Sequence, residues 1–269
     1  MKIVLAQTKT IWENREANLE KAEMLLECCK GKSDLLLFPE MSFTGFSTEV
    51  MKHGEEQEET LQAMKELVKK ADTAVGFGWA KKVNGKCRNH YTILQPDGTE
   101  LLDFAKIHPF TFSQEEQYVE GGNSLAYAPY KEFTVGTAIC YDLRFPELFS
   151  ALSKKADFIV VPANWPASRG DQWSCLLKAR SVENQCYMAG VNCVGSIGGL
   201  FYTGNSAIYD PKGELLKPQV LWEAEADGER ECLLGYEIQN EAEEFRREFP
   251  CKQDRREELY KRFWDELNL

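Results

Sequence analysis

Short apolar runs alternate along this chain with longer segments whose apolar residues recur every three or four positions, and no other feature constrains the fold as much. Residues 2–6 (KIVLA) read as a strand, and 14–29, with Leu19, Ala22, Leu25 and Leu26 at helical spacing, as a helix. DLLLFP at 34–39 reads as a buried strand. Residues 56–71 follow as an amphipathic helix carrying Leu61, Met64, Leu67 and Val68, then TAVGFGWA at 73–80 as another strand. The order β-α-β-α-β calls for parallel pairing. Residues 91–105 hold two strand-like runs around Pro-Asp-Gly, a hairpin signal, so the expected sheet is mixed.

The pattern resumes with strands at 133–140 and 156–165, separated by a helix within 141–155. A helix over 172–185, strands at 186–195 and 231–238, and a strand plus turn at 205–214 complete it. From residue 241 the chain is dense in charge, with Glu257/Lys261 and Glu258/Arg262 at i,i+4 beside a stripe of Leu259, Tyr260, Phe263 and Trp264. That reads as a helix with one apolar face, packed on its own domain or on a partner subunit. No repeat and no Gly/Ser linker divides residues 1–269, which are expected to form one domain.

Charge and cysteine usage narrow the partners. With 43 acidic against 32 basic side chains the net charge is -11, which disfavours nucleic acid and anionic membrane surfaces. Nine cysteines, odd in number, scattered and never spaced C-x-x-C, read as thiols of a reducing compartment. The first apolar run is too short for a signal-peptide core, and no window approaches the ~18 apolar residues of a membrane-spanning helix. The expected location is the cytoplasm.

Polar residues at the ends of apolar strands are where α/β folds place reactive groups. Glu40 ends LLLFPE, Lys106 follows LLDFA and Cys140 ends FTVGTAIC. Singly, each has a bland reading as a loop charge, a surface lysine or a small buried side chain. Together they permit nucleophilic chemistry, since a thiol needs a base and a tetrahedral oxyanion needs a positive donor. The three histidines, His53, His90 and His108, stand in no Cys/His protease context and near no metal-ligand cluster. No G-x-G-x-x-G or G-x-x-x-x-G-K-[ST] is present, so neither metal nor cofactor is expected.

LLLFPEMSFTGF, FAKIHPF and GTAICYDLRFPELF, in that order, resemble the three signature blocks of the nitrilase superfamily of carbon-nitrogen hydrolases. The resemblance runs on through PANWP, residues 173–192 and GNSAIYDPKGE, and so covers most of residues 1–214. CYDLRFPE and the NWPxxR context are similar to the omega-amidase branch, and FRREFPCKQDRR is so less decisively. The departure is Pro109, where related sequences more often carry an aliphatic residue.

The resemblance implies a four-layer α-β-β-α sandwich of two mixed sheets, pairing as a homodimer through the helices beyond the nucleophile and the C-terminal segment. It makes Cys140 the nucleophile, Glu40 the general base and Lys106 an oxyanion donor together with the Tyr141 backbone N–H. Glu115 matches the family's second glutamate, with Glu116 as the competing assignment. The implied reaction attacks an amide carbon, expels ammonia and opens the thioester with water, without a cofactor. The implied substrates are short dicarboxylic acid monoamides such as succinamate and 2-oxoglutaramate, bound by Arg144, Asn164 and Trp165. Arg144 is placed to reach the substrate carboxylate, with Arg169 as second candidate. The alternative is that Arg144 bridges Asp142 or Glu147 and only pins the turn. Rival readings keep the catalytic set for a nitrile, an N-carbamoyl compound or deaminated glutathione, or make the chain an idle scaffold.

Overall fold

The structure is a computed structural model and describes residues 1–47 and 49–267. The chain runs β1 (Lys2–Gln7), α1 (Arg15–Cys29), β2 (Leu35–Leu37), a short α2 (Val50–His53), α3 (Glu59–Ala71), β3 (Ala74–Val83), β4 (Lys86–Leu94) and β5 (Glu100–Ala105). It continues with β6 (Tyr127–Tyr130), β7 (Phe133–Thr137), α4 (Pro146–Leu152), β8 (Phe158–Ala163), α5 (Gly170–Asn184) and β9 (Tyr187–Asn192). Then come β10 (Val194–Ile197), β11 (Leu200–Thr203), β12 (Ala207–Tyr209), β13 (Gln219–Ala226), β14 (Glu229–Glu237), α6 (Ala242–Glu248) and α7 (Glu257–Glu266).

Two βαβαβ units explain the architecture. In the first, β1, β2 and β3 pair in parallel and sit in a seven-stranded sheet of order β13-β14-β1-β2-β3-β4-β5. In the second, β7, β8 and β9 pair in parallel within a five-stranded sheet of order β12-β9-β8-β7-β6. A parallel sheet has to be covered on both faces. Here the crossover helices of each unit cover only one face: Leu25 of α1 and Met64 of α3 pack with Val4, Leu36 and Phe77, while Phe149 of α4 and Trp173 and Leu177 of α5 pack with Ile159 and Met188. The remaining faces close on each other, with Ile3, Leu5, Leu35 and Leu37 sharing one cluster with Val135, Phe158, Val160 and Ala189. The result is a four-layer α-β-β-α sandwich. Leu35, Leu36 and Leu37 are all fully buried because this strand has no solvent face.

The structure differs from the pattern reading in places with clear local causes. The strand read over 133–140 ends at Thr137, and the helix read after it starts only at Pro146, because Cys140–Arg144 forms a 3-10 turn between them. The run 186–195 is two strands of separate sheets, β9 and β10. A hairpin absent from the reading, β13–β14, turns at Asp227 and Gly228 with φ of 56° and 79°, the Asp-Gly chemistry such two-residue turns favour. The C-terminal helix is two helices interrupted at Pro250, which has no N–H to donate. Among the described residues, no helix is long and apolar enough to cross a membrane.

Candidate active site

The C-terminal ends of the parallel strands of both sheets face one region, the place where open α/β sheets present reactive groups. Glu40 arrives there through Phe38 and Pro39 at the end of β2, and it is 1% exposed. Its Oε1 accepts from Asn89 Nδ2 at 2.7 Å and from Lys106 Nζ at 3.0 Å, while Oε2 accepts from the Asn164 N–H at 3.0 Å. The loop lies directly on β3 because position 78 is glycine. A Cβ there would stand 2.3 Å from the Met41 nitrogen and 2.9 Å from the Glu40 carbonyl carbon. Gly78→Ala is therefore expected to push Glu40 out of register and lower kcat by about 100-fold, the scale of a 1 Å misplacement. Steady-state kinetics on folded variant would check this, and an unchanged kcat would mean the loop tolerates the shift.

Lys106 follows β5 immediately and is also 1% exposed. Its ammonium lies 3.0 Å from Glu40 Oε1 and 2.9 Å from Glu115 Oε2, with the Phe46 ring 5.2 Å away on another side. Burial alone would pull its pKa down, but Glu115 and Glu40 together carry it above the ordinary lysine value, so it stays charged. Glu115 is held in turn by the Phe110 N–H. Glu116 is exposed and makes no such contact, so of the two neighbouring glutamates only Glu115 reaches the site.

Cys140 sits three residues beyond β7 in a left-handed conformation, φ 48°, which a side chain other than glycine adopts only under constraint. The constraint is Asp142, whose fully buried carboxylate accepts from the Ile139 N–H at 3.0 Å and so closes the turn around the thiol. Burial first and Glu40 second push the Cys140 thiol well above its ordinary range, against the pull of Lys106. The resting sulfur is therefore a thiol, and its proton must leave as attack occurs. Among the described residues the Tyr141 N–H donates to no protein acceptor.

These groups border a cavity of about 190 Å³ whose lining includes Glu40, Lys106, Cys140, Tyr141, Trp165 and Tyr202. That is below the roughly 300–1,000 Å³ of pockets for drug-sized ligands. Arg144 and Arg169 also line it. Arg144 lies over the Trp165 ring at 4.9 Å and donates to Gln172, and Arg169 lies 5.6 Å from the centre of the Phe110 ring. Among the described residues neither guanidinium is paired with a carboxylate; Asp142 is engaged by Ile139 and His108 instead.

Asn164, expected to bind substrate, lines the cavity and also braces the Glu40 loop. Its Nδ2 donates to the Glu40 carbonyl at 2.7 Å and its Oδ1 accepts from the Cys193 thiol at 3.3 Å, so it locks the Glu40 loop to the end of β8. Trp165 is fixed from both sides by Asn192, whose amide bonds its N–H and its carbonyl. The three histidines lie apart: His53 faces Glu13, His90 bonds Asp103 and His108 bonds Asp142. Sequence reasoning missed Asn89, Gly78, Asn192 and Tyr202. Tyr202 is 2% exposed and faces the cavity, and its hydroxyl makes no hydrogen bond among the described residues. Burial, then Cys193, Cys140 and Glu40, keep its hydroxyl protonated. Only Asn192, at a strand end, carried a positional signal.

The carbon-nitrogen hydrolase family model matches residues 2–247. The chain is 32% identical to the omega-amidase YafV of Yersinia enterocolitica over 256 residues, covering 94% of this chain and 96% of that protein. It is also 32% identical to the 2-oxoglutaramate amidase of Bacillus subtilis over 248 residues, covering 90% and 93%. Among solved structures, a CN-hydrolase superfamily protein from Xanthomonas campestris with an arsenic adduct in its active site superposes with a TM-score of 0.85 at 29% identity, covering 95% and 97%. A Glu, a Lys and a Cys brought together beyond strand ends of this sandwich, and a family match over nearly the whole chain, lead to one conclusion: the chain is an enzyme that belongs to the carbon-nitrogen hydrolase family.

Proposed function

We propose that the enzyme hydrolyses the amide of short dicarboxylic acid monoamides, of the succinamate and 2-oxoglutaramate kind, through a thioester on Cys140. The observation that carries this reading is the pair of guanidiniums, Arg144 and Arg169, lining a small cavity with no carboxylate partner among the described residues. A planar fork suits a carboxylate bidentately, and such charge-assisted pairs are among the stronger polar contacts. The related omega-amidase and 2-oxoglutaramate amidase support the same substrate class.

In this reading Glu40 takes the Cys140 proton as the sulfur attacks the amide carbon. Lys106 and the Tyr141 N–H receive the oxyanion, each worth roughly 3–4 kcal/mol in comparable sites. The C–N bond breaks as Glu40 returns the proton to the leaving ammonia, and Glu40 then deprotonates the water that opens the thioester. Glu115 and Asn164 are positioning residues, one for Lys106 and one for Glu40.

The test is ammonia release from succinamate and from butyramide, which lacks the acid. Succinamate is expected to be preferred by at least about 100-fold in kcat/KM, and Arg144→Lys to erode the preference, since a point charge does not reproduce the fork. Equal kcat/KM for the two amides would refute the substrate assignment.

We also propose a homodimer, in a reducing compartment such as the cytoplasm that suits nine unpaired thiols. Residues 242–256 dock on the chain's own helix ends: Arg246 donates to the Gln185 carbonyl, Arg255 to that of Glu183 and Lys252 to that of Ser153. Beyond this strap, α7 leaves Tyr260, Phe263 and Trp264 43%, 44% and 49% exposed, an apolar face suited to a second copy. Phe263→Glu combined with Trp264→Glu is expected to give a folded monomer in analytical ultracentrifugation where the unmodified chain sediments as a dimer. An unaltered sedimentation coefficient would remove α7 from the interface.

A further inference from the structure

Lys106 and the Tyr141 N–H come from different sheets, one following β5 of the seven-stranded sheet and the other following β7 of the five-stranded one. One side chain joins the two loops directly. Asp142, fully buried, accepts through Oδ2 from the Ile139 N–H at 3.0 Å and the Ile107 N–H at 3.4 Å. Its Oδ1 accepts from the His108 N–H at 2.9 Å and from His108 Nδ1 at 2.7 Å. A carboxylate only accepts, so Nδ1 carries the proton in this contact. The His108 ring lies flat on Phe145, 3.7 Å between centroids and 10° between planes, and the Phe145 N–H donates to the Asp142 carbonyl at 3.0 Å. The loop carrying Lys106 and the turn carrying Cys140 and Tyr141 are therefore bonded and stacked into one unit.

We propose that Asp142 and His108 are a positioning pair that sets the separation of the two oxyanion donors, touching no substrate themselves. The proposal rests on the amide-hydrolysis reading above and adds to it a reason why donors from opposite sheets keep a fixed spacing. An oxyanion donor stabilises only an oxygen that stands at hydrogen-bond distance from it in the transition state, so a small displacement of one loop weakens that contact while leaving ground-state binding nearly intact. Asp142→Asn turns an amide NH₂ toward backbone N–H donors that had an anion, and the loops must part to relieve it.

The experiment combines turnover of succinamate with labelling of Cys140 by methyl methanethiosulfonate, read on the Cys140 peptide by mass spectrometry. Labelling forms a disulfide and releases methanesulfinate, so it needs the thiol but no oxyanion donor. For Asp142→Asn, kcat is expected to fall by about 100-fold with KM within about threefold of the unmodified protein, and the labelling rate to fall by less than about tenfold, since the turn around the thiol loses part of its support while the thiol itself remains. His108→Phe keeps the stack on Phe145 and loses the donor, and should fall by about tenfold; His108→Asn restores a donor near Nδ1 and should return to within about threefold. His108 is partly exposed, so neither variant depends on the core for folding.

A kcat within threefold in Asp142→Asn, a labelling rate that falls in step with kcat, or equal losses in His108→Phe and His108→Asn would overturn the pairing. An unmodified protein that hydrolyses none of the amides would overturn the functional reading and this proposal with it. Activity in the unmodified protein with an unaffected Asp142→Asn overturns the positioning pair alone.

Discussion

Cys140→Ala is expected to lower amide turnover by at least ~1,000-fold while leaving the fold in place, the scale seen when a covalent nucleophile is removed. The geometry separates the two effects. The Cys140 sulfur makes a long hydrogen-bond contact, 4.0 Å to the Asn164 carbonyl, whereas the turn that carries it is held by the Asp142 carboxylate. Removing the sulfur therefore removes the chemistry and little of the structure. Cys193 provides an internal control: it is buried, bonds the Asn164 side chain 3.3 Å away and is not among the cavity-lining residues. Cys193→Ser should keep most of the turnover because a hydroxyl can still donate to Asn164. Turnover assays with circular dichroism on both variants check this; residual activity above a trace in Cys140→Ala would remove it as nucleophile.

Lys106→Met is expected to damage the protein twice. Two carboxylates, Glu40 and Glu115, share this one ammonium in a site with almost no solvent. Taking one partner out of a buried charge cluster typically costs about 3–5 kcal/mol, because the remaining charge is left without compensation. The oxyanion loses a donor as well, so kcat should fall by roughly 100- to 1,000-fold with a smaller change in KM. Denaturant unfolding and steady-state kinetics separate the two. If stability drops but the folded fraction turns over at a near-normal kcat, Lys106 serves only to neutralise the two glutamates.

The legible part of this molecule is the part written locally. Helical and strand periods located both βαβαβ units, and Glu40, Lys106 and Cys140 stood out because each closes an apolar run. What holds these residues is written nonlocally. Asn89 reaches Glu40 only because β4 runs beside β3, and Gly78 matters only because the loop after β2 lies on it, so neither contact has a signature in its own neighbourhood. The sequence leaves Asp142 open as a partner of Arg144 near the start of the following helix; the 3-10 turn at Cys140–Arg144 instead aims it at Ile139 and at the loop of the other sheet. The bond from the Asn164 side chain to the Glu40 carbonyl spans 124 positions and has no local signature either. The Asp227-Gly228 hairpin is a different case, a local signal that was present in the sequence and not used.

The thioester on Cys140 is the centre of the account, and partitioning with hydroxylamine tests it most directly. Succinamate and monomethyl succinate carry the same acyl group on different leaving groups, so a common acyl-enzyme has to forget which substrate made it. With both substrates the ratio of succinyl hydroxamate to succinate, measured across a range of hydroxylamine concentrations, is expected to be identical and to rise linearly with hydroxylamine. Ratios that differ between the two substrates, or turnover of both with no hydroxamate formed, would contradict an acyl-enzyme and with it the role assigned to Cys140.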